Sequence, residues 1–457
     1  MTYAYCTNLI TAICGPNVNN MNTTYRRCSN LITAACGPNV TNMYFTYDDC
    51  ISLTTAACGD KVVIMNNTYK NCVSLITAVC GNKVTTMDNT YNNCTNLITA
   101  ACNDNVKVMY STYYNCINLT TAACGPNVTN MYRAYQNCHN LTTAVCGDNV
   151  INMYQTYKNC FNLAIAACGN KVTNMYEAYA YCTNLTAAAC GPNVTNMQFA
   201  YTFCNNFNGS AVCGPNVVNM EGTYKDCYSL TGSPVCGPNV TSMTSAYERC
   251  YNLTGSPVCG ENVVYFDDTY HQCNNLTGNP VCGNKVITLA YTYSGCKNLT
   301  GSPVCGPNVT NMSEAYEGCI NLTGWAACGN SVTNMGGAYS GCVNLTGAIC
   351  GPNVTYLSAA YLGCTNIQGN AYFYSSKVSR VVNCFNRRNT SNMLNIYVPA
   401  NSRTLNTVLQ TGTTSILGSI GITWTNDAAN NRHYNTQYNI YIYPVANVEA
   451  ARVANGD

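Results

Sequence analysis

Charge is what this sequence has least of. Only 8% of its 457 residues are Asp, Glu, Lys or Arg, against roughly 25% in an average globular protein. The 20 basic and 18 acidic side chains leave a net charge of +2. No basic patch is available to neutralise a phosphate backbone, so no nucleic acid partner is expected. Three histidines, His139, His271 and His433, leave little for acid–base catalysis or metal ligation. No run of about 18 apolar residues occurs, so no membrane insertion is expected. The chain does not open on a basic stretch followed by an apolar one, as a secretory signal peptide would.

What is abundant is periodic. The chain has 34 Cys, 37 Tyr, 34 Gly and 15 Met. Cysteines recur every 22 residues from Cys6, Cys28 and Cys50 to Cys204, then every 23 from Cys227 to Cys342, closing at Cys364. A second column follows eight residues later (Cys14, Cys36, Cys58) and then nine (Cys213, Cys236, Cys259). Tyr precedes each first-column Cys by three, and Leu, or Phe207 or Ile367 in its place, follows it by three. Val follows the second Cys by four, and Met, or Phe266, Leu289 or Leu357 in its place, by seven. Columns that accept only apolar residues of similar size mark a core.

Each unit therefore reads as a short strand such as "LTTAAC", a Gly turn, "NVTNM" and an "AYxNC" segment. Asn103 replaces the Gly after the second Cys in one repeat. Asn tolerates positive φ next best after Gly, which points to a left-handed turn at that column. A period of 22–23 residues lies in the leucine-rich-repeat range, and units of this kind are stable only when stacked. The fold expected is an α/β-type repeat solenoid, mostly short parallel strands and turns, with a small C-terminal β module. Its parts are the solenoid at 1–369, a degenerate last repeat or cap at 370–398, and a β-rich module at 399–457.

Residues 134–153, "AYQNCHNLTTAVCGDNVINM", and 315–335, "AYEGCINLTGWAACGNSVTNM", resemble the BspA-type leucine-rich repeat. The resemblance runs to about residue 370. It departs from that family in using Tyr for Phe, Met for Ile, and Cys where the strand usually has Ile. Such proteins are typically surface-exposed adhesion or binding proteins of bacteria and protists, and similar repeats occur in phage structural proteins. The resemblance carries no site residues.

The cysteines show no CxxC spacing, and the acidic residues Asp60, Asp104 and Asp148 stand singly at turns. No catalytic, metal or cofactor site is expected. Stacked like cysteines lie near disulfide range. Pairing one with its neighbour strands the next, so buried free thiols are expected, as in a reducing compartment.

Surfaces carry the remaining expectations. If Leu141, Ala144 and Cys146 point inward, Val145 points out. Its column includes Val212, Val235, Val258, Val281 and Val304. That line is either a flat, sparsely hydrated face or a strip for protein contact or self-association. After residue 205 the segment becomes "LTGSPVC", which predicts a bulge and a change in curvature or twist. The cap holds local basic charge (Lys377, Arg380, Arg387, Arg388, Arg403). Trp424, Tyr434, Tyr438, Tyr441 and Tyr443 form either core or a glycan-stacking platform. "MTYAYC" begins in mid-repeat, so a partner covering the first coil is expected. The reading that results is a non-enzymatic virion structural or fibre protein, binding a host-surface glycan or protein or neighbouring virion proteins. The alternative is a secreted or cell-surface BspA-like adhesin. Localisation follows: virion, or else extracellular or cell surface.

Overall fold

The computed structural model describes residues 3–385, 393–411, 415–418 and 422–457. Arg387 and Arg388 lie outside the described residues. The chain divides into two units, Met1–Leu230 and Thr231–Asp457.

In Met1–Leu230 each 22-residue repeat is one coil. Two coils carry full strands, β1 (Thr11–Ile13) and β2 (Thr33–Ala35), paired parallel. In later coils this strand shrinks to a single bridge, as at Thr55↔Thr77, Thr77↔Thr99 and Thr99↔Thr121. A second parallel ladder runs through the "NVTNM" segment, from Asn20↔Asn42 to Asn196↔Asn219.

The third side of the coil is a succession of turns. The amides of Asn67, Tyr69 and Asn71 donate to the carbonyls of Asp88, Thr90 and Asn92 on the next coil, at 2.8, 2.9 and 2.8 Å. The alternate amides of Thr68 and Cys72 close turns onto Met65 and Tyr69, at 3.0 and 3.1 Å. Alternation of this kind needs left-handed residues, here Asn67 (φ 57°) and Asn71 (φ 61°). That accounts for Asp49, Asn71, Asn93, Asn115 and Asn137 just before the first-column Cys, since Asn and Asp tolerate this conformation best after Gly. Their side chains form a ladder of their own: Asn93 donates to Asn71 at 3.1 Å and Asn115 to Asn93 at 2.6 Å.

The left-handed glycine expected after the second Cys is not found. Neither that column nor Asn103 has positive φ. The column is small because coils approach closely there. A Cβ on Gly191 would stand 2.6 Å from the Gly169 carbonyl oxygen, a contact that real Cβ atoms do not make. Asn103 is tolerated because its amide donates to that carbonyl's counterpart on Gly81 and to Cys80 Sγ.

The core is the set of columns read from the sequence. The Leu, Val, Met and first-column Cys side chains from Cys28 to Leu185 are fully buried, each contributing about 1.5–3 kcal/mol for the larger apolar ones. The tyrosines stack ring on ring from Tyr3 to Tyr224 at 5.2–5.7 Å. Buried Thr68, Thr90 and Thr112 donate to the Met carbonyl of the preceding coil, at 2.8–2.9 Å. On the first coil Tyr3 and Val18 are exposed, whereas Tyr25 and Val40 are buried.

Thr231–Asp457 repeats the same columns with a different strand segment. Gly232, Gly255, Gly278 and Gly301 take φ of 76–82° and absorb the extra residue. From 232 to 323 the "TGSPV" segment carries no bridge among the described residues. The bulge expected from Gly and Pro is thus a left-handed bend. Its last coils rebuild true strands: β3 (Trp325–Ala327), β4 (Gly347–Cys350) and β5 (Gly369–Phe373). These pair parallel in chain order, β5 then pairs parallel with β6 (Leu394–Pro399), and β6 with β9 (Ile440–Val445). The sheet ends antiparallel through β8 (Arg432–Asn435) and β7 (Thr425–Asp427). Helix α1 (Arg403–Val408), capped by Ser402, seats on the last coil: Thr404 and Thr407 hydroxyls donate to Ser375 and Val378 carbonyls at 2.6 and 2.9 Å. Helix α2 (Val448–Ala454) packs on β5 and β6.

Candidate functional site

Three surfaces were expected from the sequence, and the structure treats them differently. The valine column is half-buried at Val145, Val212, Val235, Val258, Val281 and Val304 alike. Each of these residues turns its backbone into the core, where one tyrosine hydroxyl takes both polar groups. Val145 N–H donates to Tyr157 Oη at 2.9 Å, and that hydroxyl donates to the Val145 carbonyl at 2.5 Å. Val281 and Val304 have the same arrangement with Tyr293 and Tyr316, at 3.1 and 2.6 Å and at 3.2 and 2.6 Å. The tyrosine hydroxyl replaces the ladder partner that a short strand lacks. Where the segment is a true strand the clamp is partial: Tyr361 donates to Ile349 in β4 at 3.1 Å, and Tyr47, opposite β2, has no partner for its hydroxyl.

The two cysteine columns also differ. First-column thiols from Cys50 to Cys182 are fully buried, each donating to the Tyr carbonyl of the coil before at 3.0–3.1 Å. Second-column cysteines are only half-buried, with Cys350 the buried exception. Ala144 is half-buried as well, so of the three residues expected inward only Leu141 is. The segment does not alternate like a paired strand, because its inward polar groups are served by tyrosine rather than by a sheet. Burial pushes the Cys58 and Cys146 thiols up to about 11, and those of Cys80 and Cys168 to about 12. All 34 cysteines are among the described residues, and none is in a disulfide.

The aromatic residues of the C-terminal sheet do come together. On β6 and β9 the residues Leu394, Ile396, Ile440 and Ile442 face the core, and Asn395, Tyr397, Tyr441 and Tyr443 face outward. In-register pairing stacks Tyr443 on Tyr397, and Tyr397 on Tyr372, both at 5.1 Å. Trp325 extends the row, 6.0 Å from Tyr372. Its indole lies over Gly347, where a Cβ would meet the ring at 2.5 Å. Tyr434 pairs with Tyr441 across strands, with Arg432 over both rings at 5.7 and 5.0 Å.

The row has a polar rim. Asn395 donates to Asn370 at 3.1 Å, while its own Oδ1 is buried without a partner. Tyr372 is fully buried, its hydroxyl donating to Asp457 at 2.6 Å and accepting from Asn455 at 2.9 Å. Burial, then the Asp457 carboxylate, push that phenol above its ordinary range. Tyr438 sits in the β8–β9 loop, its amide held by Asn435 at 3.0 Å. Trp424 is half-buried outside the row, and its indole N–H is buried without a partner. Trp325, Tyr372 and Tyr397 escaped the sequence reading; their signal is strand register, which composition does not supply. No helix among the described residues is long and apolar enough to cross a membrane, and none of them forms a cluster of three His, Cys, Asp or Glu ligands.

Residues 21–142 and 111–231 match the model of the BspA type leucine rich repeat region, in six copies. These are BspA-type leucine-rich repeats. The same Cys, Leu and Val register continues past 231 to Cys364. Repeats of this class are generally binding scaffolds. Among solved structures, a leucine-rich repeat protein of Bacteroides ovatus is 14% identical over 87% of this chain and 88% of that one, with a TM-score of 0.42. A leucine rich cell surface protein of Faecalibacterium prausnitzii is 13% identical over 90% and 91%, with a TM-score of 0.33. The Treponema pallidum leucine-rich repeat protein is 17% identical over 34% of this chain and 78% of that one, with a TM-score of 0.31. No curated protein matches the chain in sequence.

Proposed function

We propose that the protein is a non-enzymatic binding scaffold, displayed outward on a virion, that engages a host-surface glycan through the outer face of its C-terminal sheet. The observation that carries this reading is the row of Trp325, Tyr397 and Tyr443, half-buried and continued by Tyr441 and Tyr434 beside Arg432. Aromatic rings with one wet edge suit sugar rings and their hydroxyls, and Asn370, Asn395 and Arg432 supply donors alongside. Free thiols throughout fit assembly in a reducing cytosol, as for a virion protein, better than export through an oxidising compartment.

The test is glycan-array binding by the full chain and by Trp325→Ala and Tyr443→Ala variants. Binding by the full chain that falls at least about tenfold in both supports the reading. Equal binding by all three removes the site. Immunolabelling of particles and cells separates display on a virion from the cell-surface adhesin.

A further inference from the structure

Part of the outer face of the C-terminal sheet is already occupied, by the chain itself. Helix α2 and the residues after it, Val448 to Asp457, lie over β5 and β6, and their hold is thin. Val448 is buried, but no residue from Glu449 to Asp457 is. Glu449 accepts from the Tyr374 hydroxyl and pairs with Arg452 at 2.7 Å. A helix of seven residues has little stability of its own in water. The segment therefore belongs to the low-stability end of the molecule.

What it places on the sheet is a carboxylate. Asp457 Oδ2 accepts from Asn370 Nδ2 at 2.7 Å and from Tyr372 Oη at 2.6 Å. Both donors stand on β5, at alternate positions and so on one face. Asn455 Nδ2 donates to the same phenol oxygen at 2.9 Å, which aims the phenol proton at the carboxylate. Burial, then that carboxylate, push the phenol above its ordinary range, so it stays a donor. Two hydrogen bonds to one ionised oxygen are charge-assisted, and Asp457 is exposed, so its charge keeps water on the other side. Beside these donors lies an acceptor with nothing to accept. Asn395 donates to Asn370 at 3.1 Å, while its own Oδ1 is buried and unpartnered. Half-buried Tyr397 stacks on Tyr372 alongside. Donors for a carboxylate, an acceptor for a hydroxyl and an aromatic ring are the complements of a sugar acid.

We propose that Asn370, Tyr372 and Asn395 form a receptor for the carboxylate of an acidic sugar, which Asp457 fills in the unliganded chain as an internal competitor. This rests on the reading of the face as a glycan site and narrows it to sugars with a carboxylate on the ring. Binding exchanges one carboxylate for another. The incoming group takes both donors, a sugar hydroxyl donates to Asn395 Oδ1, and α2 with its tail leaves the sheet. No covalent bond is made or broken. A ligand that must displace the tail binds more weakly in proportion to the fraction of chains that are open, so loosening the tail strengthens binding.

The probes are D-glucuronate and N-acetylneuraminate, one for each source of such a carboxylate, each beside its neutral methyl ester and beside acetate. Calorimetry on the full chain should show at least one sugar acid bound at least about tenfold more tightly than its ester or acetate. Asp457→Ala, at an exposed position, should bind that acid at least about fivefold more tightly than the parent. Tyr372→Phe keeps the ring in its stack and loses the donor, so adding it to Asp457→Ala should cancel the gain. Amide hydrogen exchange reads the tail without any sugar. The amides of Ala451 and Asn455 donate to Asn447 and Ala451 carbonyls at 3.2 and 3.1 Å. Both should exchange at least about tenfold faster in Asp457→Ala than in the parent, and faster in the parent once the acid is bound. Equal exchange in parent and variant, equal affinity for acid and ester, or competition by acetate as strong as by the sugar acid overturns the proposal. If neither acid binds even Asp457→Ala, the proposal falls as well, and neutral sugars on the glycan array decide the broader reading on their own.

Discussion

Coils of 22 and of 23 residues share a core and differ in one wall. Both bury the same Tyr, Cys, Leu and Val columns. In the shorter coils the wall keeps a bridge, as at Thr77↔Thr99. In the longer ones between 232 and 323 it carries no bridge among the described residues and turns through a left-handed glycine, as at Gly278 (φ 82°). Yet the tyrosine clamp is the same in both: Tyr157 holds Val145, and Tyr293 holds Val281. Strand pairing is therefore dispensable in this wall where the hydroxyl clamps it. A buried amide and carbonyl must be satisfied by something, and the chain satisfies them with its core aromatic. This explains Tyr where similar repeats carry Phe.

If that is right, the largest effect comes from removing the hydroxyl. Tyr157→Phe and Tyr293→Phe should each cost about 2–4 kcal/mol, because both a donor and an acceptor are left buried and unpaired. Tyr361→Phe, in a coil with a true strand where only one bond is lost, should cost about 1–2 kcal/mol. Urea unfolding measures all three, and a cost that tracks strand pairing in the opposite sense breaks the comparison.

Next is the wall of the longer coils. A Cβ at Gly278 would lie 2.3 Å from Ser256 Oγ, in a backbone conformation that side chains avoid. Gly278→Ala should destabilise by about 1–3 kcal/mol. Thermal unfolding that shows no loss would mean the bend is not what absorbs the extra residue.

The half-buried cysteine column sharpens the comparison by pH. Burial holds the folded thiols of Cys58 and Cys146 near 11 and those of Cys80 and Cys168 near 12, above the unfolded value of about 8.5. The folded state then binds more protons than the unfolded one above that value. Stability is fully present below it and falls as pH rises toward 11–12. Thiolate absorbance at 240 nm should stay low in the native protein at pH 9 and appear on unfolding. Native absorbance at pH 9 equal to that of the unfolded chain would contradict the burial. The smallest effect belongs to the exposed Thr121, whose change to Ala should stay within about 0.5 kcal/mol by urea unfolding.

Much of this architecture is legible in the sequence because a stack repeats each contact at one spacing. The core columns from Cys28 to Ile367 are buried as their periodicity indicates. Two inferences failed for physical reasons. Glycine after the second Cys was assigned to positive φ, when the cause is the approach of the preceding coil's carbonyl. Strand alternation predicts Cys146 and its column inward beside Leu141 and Ala144, but a clamped wall need not alternate in and out. Of the candidate site, Tyr434, Tyr441 and Tyr443 were legible as an aromatic cluster. Their neighbours Trp325, Tyr372 and Tyr397 were not, because β9 joins β6 by a parallel crossover whose register no local pattern fixes.

Where the wall lacks a full strand, one buried hydroxyl serves as its ladder partner. Amide hydrogen exchange at Val145 and Val281 reads that bond directly. In the parent chain both amides should exchange as slowly as the ladder amides of the same coils. In Tyr157→Phe the Val145 amide should exchange at least about tenfold faster while Val281 is unchanged, and Tyr293→Phe should show the reverse. Equal protection of Val145 in parent and Tyr157→Phe would contradict the account.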